Sequence, residues 1–361
     1  MKIKFLFAFL AVSMMVLAAC SGGGSGSPSG KQVAGNEVPE TGVIRWNSGT
    51  SGNVLVTIAN TMGYFKEYGL TVEEIPATAI ANAMMLLSTG QVDVVSNSGT
   101  SNPLQQIASG VDLVSFGGHM VTGAMPVVAR KGTKWNGPQD LIGKRFACNP
   151  VYFAFTGAIM DLGYSNPLEV VDWVIYSSYP DALAALVRGE VDYALMGTGE
   201  NYAVQNMDEV EIVTYHSAVM PNYSCCRMVS RREFLEKNPT TVKLMLKALI
   251  RAQRWYEAHR EESVELQAKV MGVPNEYVAA YMLNRERYVV SVDPLKNSVV
   301  RAWNILAKTG FLADDAKNID ILNHIDTKLF ETALNEVTKE FGNEDPEFYK
   351  KMQTFFEEQN K

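Results

Sequence analysis

Short apolar runs alternate with stretches of helical spacing along the first part of the chain. The apolar runs have the length of buried strands, and they lie at 43–47, 70–75, 92–95 and 113–116. Between them, apolar residues recur at helical spacing at 54–64 and 82–88, and Asn53 stands where the first helix needs a cap. Strands that alternate with helices predict an α/β fold with a parallel-dominated sheet covered on both faces.

The same pattern occurs a second time, about one hundred residues further on. The matching segments are 43–46 with 143–146, 62–64 with 162–164, and 83–93 with 182–192. The second copy predicts strands and helices in the same order, namely strands at 145–148, 170–176 and 191–196, a loop at 149–156, and helices at 157–162 and 180–189. Two copies of one α/β pattern predict two lobes of similar build, an arrangement that favours a ligand site between them.

The rest of the chain connects and covers these lobes. Extended segments at about 123–129 and 219–229 are predicted to link them. From Arg231 onward the spacing is helical, at 234–259, 263–270, 275–287 and 295–308. We expect this helical C-terminal tail to pack around the first lobe. The predicted organisation places lobe 1 at 43–126 and 227–361, and lobe 2 at 127–226.

The first twenty residues have the pattern of a secretory leader. Lys2 and Lys4 precede an apolar segment at 5–17, which is too short to span a membrane. The segment leads into Leu-Ala-Ala-Cys at 17–20, which resembles the bacterial lipobox, in which the leader is cleaved before the cysteine and the cysteine thiol is acylated. An ordinary leader that happens to end in cysteine is the alternative. We therefore predict a signal peptide at 1–20, lipidation at Cys20, and an extracytoplasmic protein anchored to the bacterial membrane through this lipid.

Composition narrows the class of protein and of partner. Residues 21–42 are predicted to form a flexible linker, because 21–30 contain only Ser, Gly and Pro. The length of 361 residues suggests two domains, and 47% hydrophobic with 20% charged residues is typical of globular proteins. The formal net charge of -7, without a Lys/Arg-rich run, argues against nucleic acid as a partner.

Apart from Cys20, the cysteines are Cys148, Cys225 and Cys226. Three cysteines do not build a disulfide framework, and their spacing is not that of a zinc site. Cys225 and Cys226 are adjacent in a strand-like run, so we expect their side chains to face opposite ways. Free thiols are the favoured interpretation, and a disulfide between the two neighbours is the alternative.

Four loops rich in Gly, Ser, Thr and Asn follow predicted strands, at 47–52, 96–102, 149–156 and 197–201. Ligands of open parallel sheets bind at the carboxyl ends of strands, and small side chains leave backbone N–H groups free to hold an oxyanion. Simple turns are the alternative for any one loop. Together the loops predict a shared cleft, with the candidate ligand-binding residues Trp46, Asn47, Ser48, Thr50, Asn97, Ser98, Thr100, His119, Tyr152, Phe155, Thr156, Thr198, Glu200 and Asn201.

The aromatic and acidic candidates indicate the chemistry of a ligand. Trp46, Tyr152 and Phe155 can stack on a flat molecule, although filling the core is the alternative. Glu200 suits an amine or a ring N–H, with a solvated surface carboxylate as the alternative. His119 either lines the cleft or is structural.

Catalytic and metal-binding motifs are absent from the sequence. It contains no nucleophile elbow, no phosphate-binding Gly-Lys loop and no paired-histidine helix. The four histidines lie far apart in the chain. We therefore predict a binding protein that is not an enzyme and that needs no metal and no cofactor.

Several segments carry a likeness to a known group of proteins. They are MGYFKEYGL at 62–70, TGQVD at 89–93, DLIGKR at 140–145, ALAALVRGEVD at 182–192, and TGFL at 309–312. In these segments, and over about 43–334, the chain resembles the solute-binding proteins of ABC importers for nitrate, sulfonates, taurine and the pyrimidine precursor of thiamine. The resemblance implies a two-lobed type II periplasmic-binding-protein fold that closes around its ligand and delivers it to an ABC permease and ATPase. We expect the protein to act as a monomer.

The resemblance leaves the ligand open. The Ser/Thr/Gly loops are similar to those of sulfonate and nitrate binders, whereas Trp46, Tyr152 and Glu200 suit a pyrimidine-precursor binder. The segment 152–155 is bulkier than a simple sulfonate site requires. A small organic molecule, sulfonate/taurine-like or aminopyrimidine-like, is therefore favoured over a bare inorganic anion. The alternatives are an enzyme on the same fold that acts on a thiamine-pyrimidine or related precursor, and a surface ligand sensor.

Overall fold

The computed structural model describes residues 37–49, 51–76 and 80–361. The signal peptide at 1–20 with Cys20, the linker up to residue 36, and Thr50 therefore lie outside the described residues. In chain order the strands are β1 Val43–Asn47, β2 Thr71–Glu74, β3 Val94–Val95, β4 Leu113–Gly123, β5 Pro126–Arg130, β6 Arg145–Ala147, β7 Asp172–Val174, β8 Tyr193–Leu195, β9 Val210–Tyr215, β10 Cys226–Arg231 and β11 Tyr288–Val290.

Helices separate most of the strands and make up most of the C-terminal region. In chain order they are α1 Val54–Thr61, α2 Tyr64–Glu67, α3 Ile80–Ser88, α4 Ser101–Ala108, α5 Phe153–Asp161, α6 Pro167–Val170, α7 Tyr179–Arg188, α8 Asn201–Gln205, α9 His216–Val219, α10 Arg232–Lys237, α11 Pro239–Ala258, α12 Arg260–Met271, α13 Asn275–Met282, α14 Lys296–Lys308, α15 Lys328–Phe341 and α16 Pro346–Asn360. Among the described residues, none of these helices combines the length and apolar content that crossing a membrane requires.

The strands form two sheets. In the described part of the chain, one sheet has six strands in the order β11-β4-β10-β3-β1-β2, and the other has five in the order β7-β6-β8-β5-β9. In the first, β1, β2 and β3 are parallel, and β10 lies antiparallel between β3 and β4. In the second, β6, β7 and β8 are parallel, and β5 lies antiparallel between β8 and β9. The α/β class with parallel-dominated sheets is confirmed, but each sheet also takes in antiparallel strands.

The central antiparallel strands are the segments by which the chain passes between the sheets. The chain leaves β4 of the six-stranded sheet and enters β5 of the five-stranded sheet through residues 124 and 125. It returns from β9 through α9 and residues 220–225 into β10. Both connections correspond to the extended links expected at 123–129 and 219–229. Each link ends in the middle of the sheet that it enters.

The sequence repeat has a counterpart in side-chain contacts. In the six-stranded sheet, the Asp93 carboxylate accepts hydrogen bonds from the backbone N–H of Arg45 (3.0 Å), its Nε (3.0 Å) and its Nη2 (2.6 Å). In the five-stranded sheet, Asp192 accepts the same three bonds from Arg145, at 2.9, 3.1 and 2.8 Å. The side chain of Asp93 is 6% exposed, and that of Asp192 is 26% exposed. The two copies therefore share their hydrogen-bond pattern as well as their sequence.

A second repeated contact is an arginine at the end of each of the strands β10 and β5, which bonds to main-chain carbonyls nearby. Arg231 ends β10 and Arg130 ends β5, and each donates from Nη1 to two main-chain carbonyls, one in the last turn of a helix and one just before the strand that follows that helix. Arg231 bonds to the carbonyls of Leu87 and Val92, and Arg130 bonds to those of Leu186 and Val191. The last carbonyls of a helix lack partners within the helix and carry partial negative charge, so a guanidinium at the ends of α3 and α7 is well placed.

Caps and breaks explain where several helices begin and end. Asn53 accepts hydrogen bonds from the N–H groups of Leu55 and Val56 at the start of α1, as its position in the sequence suggested. The helix α7 stops at Gly189, which adopts a left-handed φ of 78°. The single helix expected at 234–259 is two helices. Pro239 begins the second, because a residue before proline is disfavoured in the helical region.

The start of α5 also differs from the prediction. The sequence predicts a loop at 149–156, but the helix begins at Phe153. Phe155 and Thr156 therefore lie in the helix and are fully buried. The start is hard to see in the sequence, because Tyr152 at the cap position makes no side-chain capping bond.

The C-terminal helices cover more than the first lobe. Helices α11 and α12 pack on α1, and α11 also packs on α15. In contrast, α13 contacts α8, and α14 contacts α5, so these two helices reach elements on the side of the five-stranded sheet. Arg301 of α14 pairs with Asp161 of α5 at 3.3 Å. Helices α11 and α12 therefore pack on the first lobe as expected, and α13 and α14 also contact elements beside the five-stranded sheet.

Candidate ligand-binding site

A cavity of about 1020 Å³ lies where the loops after the strands of both sheets meet. Residues after β1 and β3 form one side of it, and residues after β6 and β8 form the other. All four Gly/Ser/Thr/Asn-rich loops contribute to the wall. Their meeting agrees with the rule that parallel sheets bind ligands at the carboxyl ends of their strands.

Half of the predicted site residues line this cavity. They are Asn47, Asn97, Ser98, Thr100, Tyr152, Thr198 and Glu200. The structure places six others outside the wall, namely Trp46, Ser48, His119, Phe155, Thr156 and Asn201. Thr50 is not among the described residues.

The side chains outside the wall hold the loops in place. Trp46 is fully buried, and its indole Nε1 donates to Ser96 Oγ at 2.8 Å. Neighbouring residues of a strand point to opposite faces, so Asn47 lines the cavity where Trp46 does not. Asn201 donates from Nδ2 to the carbonyls of Ala124 (2.7 Å) and Thr198 (2.8 Å), which ties the last loop to the crossing between the sheets.

Phe155, Thr156 and Ser48 belong to the interior. The ring of Phe155 packs edge-on against Phe146, with centroids 4.9 Å apart. Thr156 is bonded within its own helix, to the carbonyl of Phe153. Ser48 is buried, and its hydroxyl has no partner in the described part of the protein.

His119 lies on β4 beneath the cavity rather than in its wall. Its ring is 1% exposed, and neither ring nitrogen has a hydrogen-bond partner among the described residues. Burial, together with the nearby Arg227 guanidinium, lowers the pKa of His119 to about 3. The imidazole is therefore neutral at neutral pH, which corresponds to the structural alternative.

Sequence reasoning missed several residues of the wall, above all Tyr179, Tyr223 and Tyr277. Tyr179 begins α7, directly before the Pro180 that marked the helix start, so a local signal existed. Tyr223 lies in the return link. Tyr277 comes from α13 in the C-terminal tail, and no local pattern connects it with the loops. Methionines complete the apolar part of the wall: Met84, Met85, Met120, Met125 and Met271.

Two glycines allow tyrosines to close around the last loop. A Cβ at Gly197 would lie 2.5 Å from the ring of Tyr179, and a Cβ at Gly199 would overlap the hydroxyl of Tyr277. The Tyr152 and Tyr179 hydroxyl oxygens are 3.5 Å apart. The segment 197–200 therefore sits between an aromatic residue from each side.

The charge of the wall is unusual for a site that holds an anion. In the described residues, Glu200 is the one acidic residue of the wall, and the wall contains no Lys, Arg or His. Burial raises the pKa of Glu200 above its usual range. A desolvated carboxylate without a basic neighbour favours a ligand that brings its own N–H donors or positive charge.

The start of α4 supplies an electropositive part of the cavity wall. Ser101 and Asn102 line the cavity in the first turn of this helix, and Thr100 at its cap makes no side-chain capping bond. The amino end of a helix carries partial positive charge. Ser101 Oγ also donates to the carbonyl of Val151 at 2.8 Å, and this bond joins the loop after β3 to the loop after β6.

The free thiols also belong to this region. Cys148, Cys225 and Cys226 are free and buried, as the favoured interpretation expected. The expectation that Cys225 and Cys226 face opposite ways is wrong, because both line the cavity and their sulfur atoms are 3.8 Å apart. Cys225 precedes β10, so the alternation of side chains along that strand begins only at Cys226.

Two sheets joined by crossing strands, with a cavity between their loops, define the class of two-lobed periplasmic-binding-protein folds. Comparison with solved structures agrees. The periplasmic aliphatic sulphonate binding protein SsuA from Escherichia coli superposes with a TM-score of 0.65 at 20% identity, covering 79% of this chain and 92% of that chain.

The family is shown by sequence. The family model NMT1/THI5 like matches residues 53–263, and the chain belongs to this family. The chain is also 24% identical over 269 residues to the taurine-binding periplasmic protein of Escherichia coli (strain K12), covering 68% of this chain and 80% of that protein. It is 23% identical over 230 residues to the 4-amino-5-hydroxymethyl-2-methylpyrimidine phosphate synthase of Schizosaccharomyces pombe (strain 972 / ATCC 24843), covering 58% of this chain and 63% of the enzyme.

Proposed function

We propose that this protein is the extracytoplasmic solute-binding component of an ABC importer. It captures a small amine-bearing organic molecule, taurine-like or aminopyrimidine-like, and delivers it to a permease. The observation that carries the proposal is the cavity wall, where Glu200 stands among tyrosines and, as far as the described residues go, no basic side chain is present. The likeness to a taurine-binding periplasmic protein supports the same class of ligand.

In this proposal, Glu200 accepts hydrogen bonds from the amine or ring N–H of the ligand. The tyrosines supply flat apolar surface, and cation–π attraction adds to it when the ligand is charged. An acidic group of the ligand, where present, lies at the start of α4 near Ser101 and Asn102. A bare inorganic anion would leave the Glu200 carboxylate without a partner, so we expect nitrate to bind poorly.

Capture is coupled to closure of two lobes, lobe 1 at 43–126 with 227–361 and lobe 2 at 127–226. Ligand bonds to both lobes form together only when the cleft is closed, so ligand shifts the population toward the closed form. The Ser101–Val151 bond, which directly connects segments that follow β3 and β6, supports this proposal as a contact across the cleft. The protein acts as a monomer, held at the membrane by lipid on Cys20.

A binding screen with a matched variant tests the ligand. Taurine, 4-amino-5-hydroxymethyl-2-methylpyrimidine, ethanesulfonate and nitrate are compared by thermal shift and calorimetry. An amine-bearing ligand at one hundred times its dissociation constant should add about 2.7 kcal/mol to the free energy of unfolding. Glu200→Gln should weaken it by about 1–3 kcal/mol, because a buried donor loses a charged partner. The control is Glu169→Gln, an exposed carboxylate on α6 outside the cavity wall.

The outcomes of these experiments distinguish an error in the proposed ligand from an error in the proposed function. Tight binding of ethanesulfonate or nitrate with no effect of Glu200→Gln would retain a solute-binding protein but remove the amine. Chemical conversion of a bound pyrimidine would favour the enzyme alternative, which the likeness to the phosphate synthase supports. Loss of uptake of the bound compound in cells that lack this protein would support delivery to a permease, whereas unchanged uptake would favour a sensor.

A further inference from the structure

Cys225 and Cys226 place two thiols side by side in the wall of the cavity. Their sulfur atoms are 3.8 Å apart, and Cys226 Sγ is 3.2 Å from Asn97 Oδ1. The residues are 7% and 4% exposed, and the exposed part faces the cavity. A small molecule that enters the cavity therefore meets both sulfur atoms.

The surroundings make the two thiols chemically different. The hydrogen bond with the Cys225 thiol, followed by the Gly99 N–H and the Arg227 guanidinium, lowers the pKa of Cys226 despite its burial. The same hydrogen bond and burial raise the pKa of Cys225 well above the ordinary value. A thiolate is the attacking species in disulfide exchange. The Cys226 thiol donates to Asn97 Oδ1 in the cavity wall and gives up this bond when it ionises, and its lowered pKa makes it the attacking thiol of the pair.

Arg227 supplies a fixed positive charge behind the thiols. Its guanidinium is 2% exposed and donates to the main-chain carbonyls of Asp293 (2.6 Å) and Met120 (2.5 Å). Its Nε has no partner in the described part of the protein, and none of its hydrogen bonds goes to a carboxylate. The Asp293 carboxylate also interacts with this charge, but the guanidinium lies next in the chain to Cys226 and favours the thiolate form there.

We propose that Cys225 and Cys226 form a site of reversible disulfide exchange inside the ligand cavity, with a low-molecular-weight disulfide as the reactant. The Cys226 thiolate attacks one sulfur of the small disulfide and releases one small thiol. The Cys225 thiol then loses its proton and attacks the Cys226 sulfur of the mixed disulfide, which releases the second small thiol. The protein loses two hydrogen atoms and the reactant gains them.

The product is strained and therefore easily reduced. Neighbouring Cα atoms are about 3.8 Å apart across a trans peptide. Unstrained disulfides join Cα atoms about 4.4–6.8 Å apart. Strained and accessible disulfides have the more oxidising potentials that are typical of labile, regulatory bonds. Oxidation also removes the thiol bond to Asn97 in the cavity wall, so the chemistry acts on the binding site itself.

Mass spectrometry after exposure to 2-hydroxyethyl disulfide tests the proposal. All proteins carry Cys20→Ser, so that only the thiols at 148, 225 and 226 react. Remaining thiols are alkylated in denaturant and the peptides are analysed. We expect the peptide with Cys225 and Cys226 to lose two hydrogen atoms, to recover them with dithiothreitol, and to react at least about tenfold faster than Cys148, whose pKa burial also raises.

Single variants identify the order of attack. Cys225→Ser should stop at a mixed disulfide on Cys226, and Cys226→Ser should lose the fast reaction. Cys148→Ser is the matched control and should behave like the parent protein. A mixed disulfide that persists on Cys226 in the parent protein, or equal rates at all three thiols, would overturn the proposal. Neither result depends on a transported ligand, so this experiment tests the disulfide exchange independently of the proposed importer function.

Discussion

Removal of the Asp93 carboxylate should destabilise the protein more than removal of its counterpart in the other sheet. Asp93 accepts two side-chain bonds and one backbone bond from Arg45, and its side chain is 6% exposed. Asp192 accepts the same bonds from Arg145 but is 26% exposed. The two carboxylates therefore share their arginine contacts and differ in burial, and Asp93 also lies 3.6 Å from Arg231 Nη2, which adds to the expected difference.

The expected loss in the free energy of unfolding depends on which groups lose their partner when the Asp93 carboxylate is removed. Loss of one partner of a fully buried ion pair costs about 3–5 kcal/mol, because the other charge stays buried and unpaired. The side chain of Arg45 is 40% exposed, so water solvates the guanidinium once Asp93 is gone. The backbone N–H of Arg45 loses its acceptor at the same time. We therefore expect Asp93→Ala to lower the free energy of unfolding by about 2–3 kcal/mol.

Urea denaturation at neutral pH measures both variants. We expect a lower midpoint for Asp93→Ala at an unchanged slope, and a smaller decrease for Asp192→Ala. Asp93→Asn keeps the shape and should recover part of the loss. A decrease below about 1 kcal/mol for Asp93→Ala, or an equal or larger decrease for Asp192→Ala, would refute the reasoning from burial.

Two further predictions concern the cavity and its support. Gly199→Ala should weaken ligand binding about tenfold, because the new methyl group displaces Tyr277, whereas Gly42→Ala, with its nearest neighbour at 3.5 Å, should leave calorimetric affinity unchanged. Burial raises the pKa of Asp293 to about 6. The folded state then holds a proton that the unfolded state releases, so the contribution of Asp293 to the free energy of unfolding should fall as pH rises from about 4 to 6 and level off above. The buried, neutral His119 and His216 contribute stability that rises with pH over the same range, so the test is the difference between two proteins. In urea titrations at successive pH values the parent protein should lose stability relative to Asp293→Asn between about pH 4 and 6, and a difference that does not change with pH would refute the assignment.

Features that depend on neighbouring residues were predictable from the sequence. The strand ends and the four polar loops are local patterns, and strand direction alone brings those loops together. Seven candidates accordingly line the cavity. Trp46 does not line the cavity, because side chains alternate along a strand. Asn47 faces the cavity, and the indole of Trp46 packs in the core.

Features that depend on tertiary packing were not predictable. Tyr277 reaches the cavity because α13 docks near the loop at 197–200, and nothing in the sequence around it marks that contact. The proximity of the Cys225 and Cys226 sulfur atoms was missed because Cys225 lies before β10 and outside its alternation of side chains, whereas the sequence suggests one continuous strand-like run. The antiparallel positions of β5 and β10 were not predictable either, because they depend on the order of the strands in each sheet, which hydrophobic periodicity alone does not give.

The position of β10 has a consequence for synthesis on the ribosome. Every strand of the five-stranded sheet lies between residues 126 and 215, so that sheet can assemble as soon as this stretch has emerged. The earlier strands β3 and β4 must wait for the residues that follow, because β10 separates them. At about 5–20 residues per second the wait is roughly 5 to 20 seconds. The part translated second should therefore mature first, and the nascent amino-terminal part is the one that chaperones would need to shield.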